Sequence, residues 1–107
     1  MILYNVTINV EEDIHDQWLA WMKREHLPMV MSTGKFLKYA MFRILDRQED
    51  ETGITYAIQY FARNMADYRD YQTHHAKALQ AETAKLFEGK FVAFRTLLEE
   101  DHSYEKP

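Results

Sequence analysis

The sequence predicts one α+β domain of element order βαββαβ, a four-stranded antiparallel sheet with two helices on one face, that works as a dimer. Three observations predict it. Segments with strand-like and helix-like hydrophobic periods follow one another in that order. The chain has 107 residues, enough for a single core and too few for two. Three of the four strand segments are apolar on both faces, which two helices on one side do not cover.

The first strand is the clearest element. Ile2, Tyr4, Val6, Ile8 and Val10 alternate with Leu3, Asn5, Thr7 and Asn9, the period of two that sends successive side chains to opposite faces. After it, Asp13 is an N-cap candidate, because its carboxylate accepts from a free backbone N–H and its charge suits the positive helix end. A helix is therefore expected from Ile14, with Ile14, Trp18, Trp21 and Met22 on the apolar face, Leu19 on its flank, and Asp16, Gln17, Lys23 and Arg24 toward water. Pro28 lacks an N–H and clashes with the preceding turn. A break is expected near His26 and Leu27, then a short turn through Met29, Val30 and Met31 and a stop at Gly34.

Residues 35–46 read as the second strand, with Phe36, Ala40, Phe42 and Ile44 on the helix side and Leu37, Tyr39, Met41 and Leu45 on the other. A polar turn over 48–53 leads into a β-branched and aromatic strand over 54–61, so the two form a hairpin. Asn64 caps a second helix whose apolar face runs through Met65, Tyr68, Leu79 and Leu86 and which ends at Gly89. The last strand spans 91–98. Residues 1–98 are expected to form the domain and 99–107 a frayed polar tail. This is the ferredoxin-like split βαβ arrangement. Leu37, Tyr39, Met41, Ala57, Phe61, Val92, Phe94 and Leu98 are left on the uncovered face, and a second copy of the same sheet is the expected cover.

Composition closes several functions. Hydrophobic residues at 47% and charged residues at 28% describe a folded globular chain. With no Cys there are no disulfides, thiolate nucleophiles or Cys-ligated metals. No apolar run approaches a membrane span, and Met1 leads into Ile2 without a basic segment, so a cytoplasmic protein without a membrane partner is expected. The net charge of −4 and the scattered basic residues argue against nucleic acid. An RNA-recognition module shares the βαββαβ order, but residues 53–61 lack its basic lead residue and paired surface aromatics. Gly34, Gly53 and Gly89 stand alone, so no phosphate loop or nucleophile elbow is present, and no cofactor is expected. The acidic clusters 11–13, 49–51 and 99–101 fall at element boundaries and read as solvated loops.

The run Trp21, His26, Pro28, Gly34 and Phe36 resembles the passage from first helix to second strand in the dimeric α/β-barrel superfamily, where two ferredoxin-like sheets close into one barrel. That superfamily includes antibiotic-biosynthesis monooxygenases, muconolactone isomerases and stress-responsive barrel proteins. The whole chain, above all residues 4–7, 53–60 and 89–97, is similar to a bacterial family known as a domain of unknown function. The resemblance implies a fold and a dimer. It assigns no reaction, because so many chemistries share the fold.

His26 is the first candidate for chemistry, since it matches the superfamily's histidine before the proline. It is either a ligand-binding or acid–base group between helix and sheet, or a structural cap on the last carbonyls of its helix. No metal site is expected. His15 and His26 are separated by about 16 Å at ~1.5 Å per residue, and the neighbours His74 and His75 diverge by about 100°. His75, Glu82 and Tyr68 share a bearing at spacings of seven, either as a pocket wall or as a polar edge closing the core. Arg43 and Arg95 interrupt apolar strand faces. Each either fixes an acidic ligand or sits near an end of the sheet and reaches solvent. Asn5, Thr7, Thr55 and Gln59 share the face opposite Val6 and Ile58, where they would line a dimer barrel.

Two functions follow. One is a homodimer that binds a small organic molecule beside His26, with Trp18, Trp21, Tyr60, Tyr68 and His75 as further ligand-binding candidates; its enzymatic form is a cofactor-independent monooxygenase or isomerase. The other is a non-enzymatic structural or interaction dimer. A cavity of about 300 Å³ or more beside His26 favours the first, and a side-chain-packed interior favours the second.

Overall fold

A computed structural model describes residues 1–107. Strand β1 (Ile2–Val10) is followed by a 3₁₀ turn (Glu12–Ile14), helix α1 (His15–Trp21), a π-helical turn (Met22–His26) and helix α2 (Leu27–Ser32). Then come β2 (Lys38–Arg43), β3 (Ile54–Ala62), α3 (Met65–His74), α4 (Ala76–Phe87) and β4 (Phe91–Glu99). The four strands pair antiparallel in the order β2-β3-β1-β4. This is the ferredoxin-like arrangement.

Strand β1 lies between β3 and β4 and shows strict alternation, Ile2, Tyr4, Val6, Ile8 and Val10 all buried. Opposite Val6 lie Ile58 on one side and Arg95 on the other, so these three point to the same face. The helices cover that face. Trp18, Met22, Leu27 and Val30 descend from the first helical segment and Tyr71, Ala76 and Phe87 from the second, joining the strand residues in one core.

Several elements differ from the sequence pattern. Asp13 does not cap a helix. It lies inside the 3₁₀ turn, and its carboxylate accepts from Lys90 Nζ at 2.9 Å. Pro28 does not break the chain, because the π turn absorbs it and leaves the proline in the first turn of α2, where a missing N–H costs little. The stop at Gly34 holds: it has φ +75° and donates to the Met31 carbonyl at 3.1 Å.

Strand β2 is shorter than residues 35–46 and opposite in phase. Tyr39 and Met41 pair with Tyr60 and Ile58 on the helix side, while Ala40 and Phe42 pair with Gln59 and Ala57 on the open side. Phe36 is buried but precedes the strand, so its alternation does not carry through. The second helix is two helices, parted at His75 (φ −127°, ψ −40°). The break re-aims α4, burying Thr83 and Phe87 and leaving Leu86 exposed. Asn64 caps α3 as expected, its side-chain oxygen accepting from the Asp67 N–H at 2.9 Å.

The open face carries Leu3, Asn5, Thr7 and Asn9 with Thr55, Ala57, Gln59 and Phe61, flanked by Val92, Phe94 and Leu98. Phe42, Val92 and Phe94 on this face are each more than half exposed.

Candidate functional site

The π turn sets His26 in place. Met22 and Leu27, five residues apart, would diverge by about 140° around a regular α-helix. The Leu27 N–H instead donates to the Met22 carbonyl, and both side chains are about 1% exposed. Such single π turns recur at functional sites. His26, the last residue of this turn, lines a cavity of about 240 Å³ between helices and sheet.

Each wall follows from a local period. Strand β1 contributes Tyr4, Val6 and Ile8, β3 contributes Ile58 and Tyr60, and β4 contributes Phe91, Ala93 and Arg95, alternate residues of one face in every case. Helix α4 contributes Gln80, Thr83 and Ala84, which share a face at spacings of three and four. Met22, His26 and Tyr71 complete the lining. The volume lies below the 300 Å³ set above, yet the interior is not packed solid.

His26 Nδ1 is buried and finds no hydrogen-bond partner among the protein's own groups. Its ring lies against Trp21 with centroids 5.3 Å apart. Burial lowers its pKa from 6.5 to about 4, so the imidazole is neutral at pH 7. Burial also raises the Tyr60 and Tyr71 phenols, reinforced by the neighbouring tyrosines and opposed by Arg95, so both remain protonated donors. The Thr83 hydroxyl donates to the Leu79 carbonyl at 3.5 Å. The arrangement offers a neutral imidazole, three phenols, a hydroxyl, an amide and one guanidinium in an otherwise apolar space. It is suited to holding and orienting a small organic molecule.

Of the candidate residues, His26 and Tyr60 line the cavity. Trp18 is fully buried beneath α1 against Tyr56, at 5.4 Å between centroids, and Trp21 packs on Phe87 at 5.5 Å. Tyr68 and His75 are not in the lining: Tyr68 packs against Tyr4 at 5.3 Å between centroids and His75 against Tyr71 at 6.2 Å. With the helix parted at His75 and Glu82 exposed, the strip of Tyr68, His75 and Glu82 does not form. Arg43 ends β2, whereas Arg95 stands in the middle of β4, the edge strand of the sheet, where it is exposed. His15 is remote from His26 in role: its Nε2 meets the Tyr56 hydroxyl at 2.7 Å and its Nδ1 the Asp16 carboxylate at 2.9 Å. No three His, Asp or Glu side chains converge as metal ligands. On the open face, Asn5 donates to Thr7 at 3.0 Å and Asn9 to Thr55 at 2.9 Å, a polar band between apolar edges.

The model of the family "Domain of unknown function (DUF4286)" matches residues 1–101. The chain belongs to the DUF4286 family. Solved structures place this DUF4286 chain among ferredoxin-like proteins. HapK from Hahella chejuensis is similar at TM-score 0.71 and 11% identity, over 100% of this chain and 99% of that one. A dimeric ferredoxin-like protein from an uncultured marine organism matches at TM-score 0.71 and 12% identity, over 99% and 100%. SnoaB, a cofactor-independent oxygenase from Streptomyces nogalater, matches at TM-score 0.64 and 8% identity, over 98% and 97%. At these identities the likeness concerns the fold alone. No functionally curated protein matches significantly. No helix is long and apolar enough to cross a membrane.

The sequence reading missed Tyr71, Gln80 and Thr83. Their only signal was the i, i+3, i+4 spacing of Gln80, Thr83 and Ala84, which became legible once the break at His75 fixed the bearing of α4.

Proposed function

We propose that this DUF4286 protein binds a small organic molecule in the cavity beside His26, and that it does so as a homodimer joined through the open sheet face. The observation that carries the first part is the buried, unpartnered Nδ1 of His26 at a cavity. A histidine serving as a helix cap would bond the last carbonyls and carry charge. This one makes no such bond and is held neutral. A buried polar atom without a partner costs on the order of 1–3 kcal/mol, and a ligand hydrogen bond would recover it. The dimer is supported by the exposed Phe42, Val92 and Phe94 beside a polar band, a combination that suits a lined barrel interior, and by a dimeric ferredoxin-like protein of matching fold.

Thermal melts against a panel of small organic molecules test the reading. Compounds that stabilise the wild type should lose that effect in His26→Ala, while the unliganded variant stays folded. Loss of stability without any ligand effect would instead assign His26 a structural role.

A further inference from the structure

The cavity has a sign of charge. Arg95 is its one fixed charge at neutral pH, and no Asp or Glu lines it, although the chain carries 17 acidic residues and a net charge of −4. Lys35 pairs with Asp70, Arg63 with Asp67, and Lys90 with Glu11 and Asp13; Arg95, like Arg43 and Arg69, pairs with no carboxylate, and unlike them it lines the cavity. It is not a strand end, although it is exposed on the edge strand of the sheet. It stands in the middle of β4, on the helix side opposite Val6, with Ala93 and Leu97 as its neighbours on that face.

We propose that the cavity takes a small monoanionic carboxylic acid with a flat, unsaturated body, its carboxylate paired with the Arg95 guanidinium and its body held among Tyr4, Tyr60 and Tyr71. This rests on the small-molecule reading above and adds the chemical class. The guanidinium fork matches a carboxylate through two parallel N–H···O bonds. Tyr60 and Tyr71 stay protonated and act as donors, so nothing in the lining repels a negative charge. His26, neutral, lines the same cavity and can meet a polar group of such a ligand without competing for the anion. The aromatic walls and a volume of about 240 Å³ set the body at one ring in size.

Calorimetric titration with benzoate and with benzamide, equal in shape and different in charge, tests the assignment, with amide NMR shifts locating the bound probe. Benzoate should bind the wild type about tenfold or more tightly than benzamide. Arg95→Gln should bring benzoate down to the benzamide level, and Arg95→Lys, which keeps the charge and loses the fork, should fall between. Equal binding of acid and amide, or unchanged benzoate affinity in Arg95→Gln, would overturn the charge assignment while leaving the cavity reading intact. If neither probe shifts the amides of cavity residues at millimolar concentration, both readings fail.

Discussion

His26 links burial to pH. Its pKa is about 4 in the folded chain against 6.5 for an ordinary histidine. Above pH 6.5 neither state holds the proton. Between 6.5 and 4 the unfolded chain takes it up and the folded chain does not, so stability falls as pH falls through that window, by on the order of 3 kcal/mol. In His26→Gln this loss should be absent, so melts should show the wild type losing ground to the variant as pH drops from 6.5 to 4. Gly53 makes a second prediction at this scale. It has φ +76°, and a Cβ there would lie 2.6 Å from the Val10 carbonyl and from Asn9 Oδ1. Gly53→Ala should therefore destabilise by at least ~1–2 kcal/mol in denaturant titration, from the left-handed backbone alone. His26 was legible from its place before Pro28. The role of Arg95 was half legible: it visibly interrupts an apolar strand face, but only the pairing with β1 shows which face and which cavity it joins.

At the scale of elements, legibility followed how many signals agreed. Strand β1 alternates polar with apolar, and its face was readable directly. Strand β2 is apolar on both faces, so its period leaves the phase undetermined, and Phe36 favoured the wrong one. The break at His75 has neither Gly nor Pro to announce it, and the π turn conceals the effect of Pro28 by shifting register without ending the helix. Helix caps give a matched pair of tests. Asn64→Ala removes a cap bond of 2.9 Å and should cost about 1 kcal/mol. Asp13→Ala removes only an exposed ion pair with Lys90 and should cost no more than ~0.5–1 kcal/mol, as measured by the same denaturant series.

The whole molecule presents one sheet face packed under helices and one left apolar at its edges. The doubly apolar strands foretold the second face; Val92 and Phe94 are exposed there as expected, and Phe42, expected on the helix side, joins them. Phe94 is 63% exposed in the single chain, so Phe94→Asp should leave the fold intact by circular dichroism and convert a dimer to a monomer in sedimentation velocity, because a charge at a dimer core is costly to bury. What composition and period did not convey is the cavity, since it arises from gaps between elements whose relative placement depends on the His75 break and the π turn. The most direct measurement is a crystal structure of the purified protein soaked with a small organic acid. The expected result is a twofold dimer closed over the open faces, with ligand density in the cavity lined by His26, Tyr60 and Arg95. A cavity filled by the protein's own side chains, with no ligand and the open sheet face bare to solvent, would contradict it.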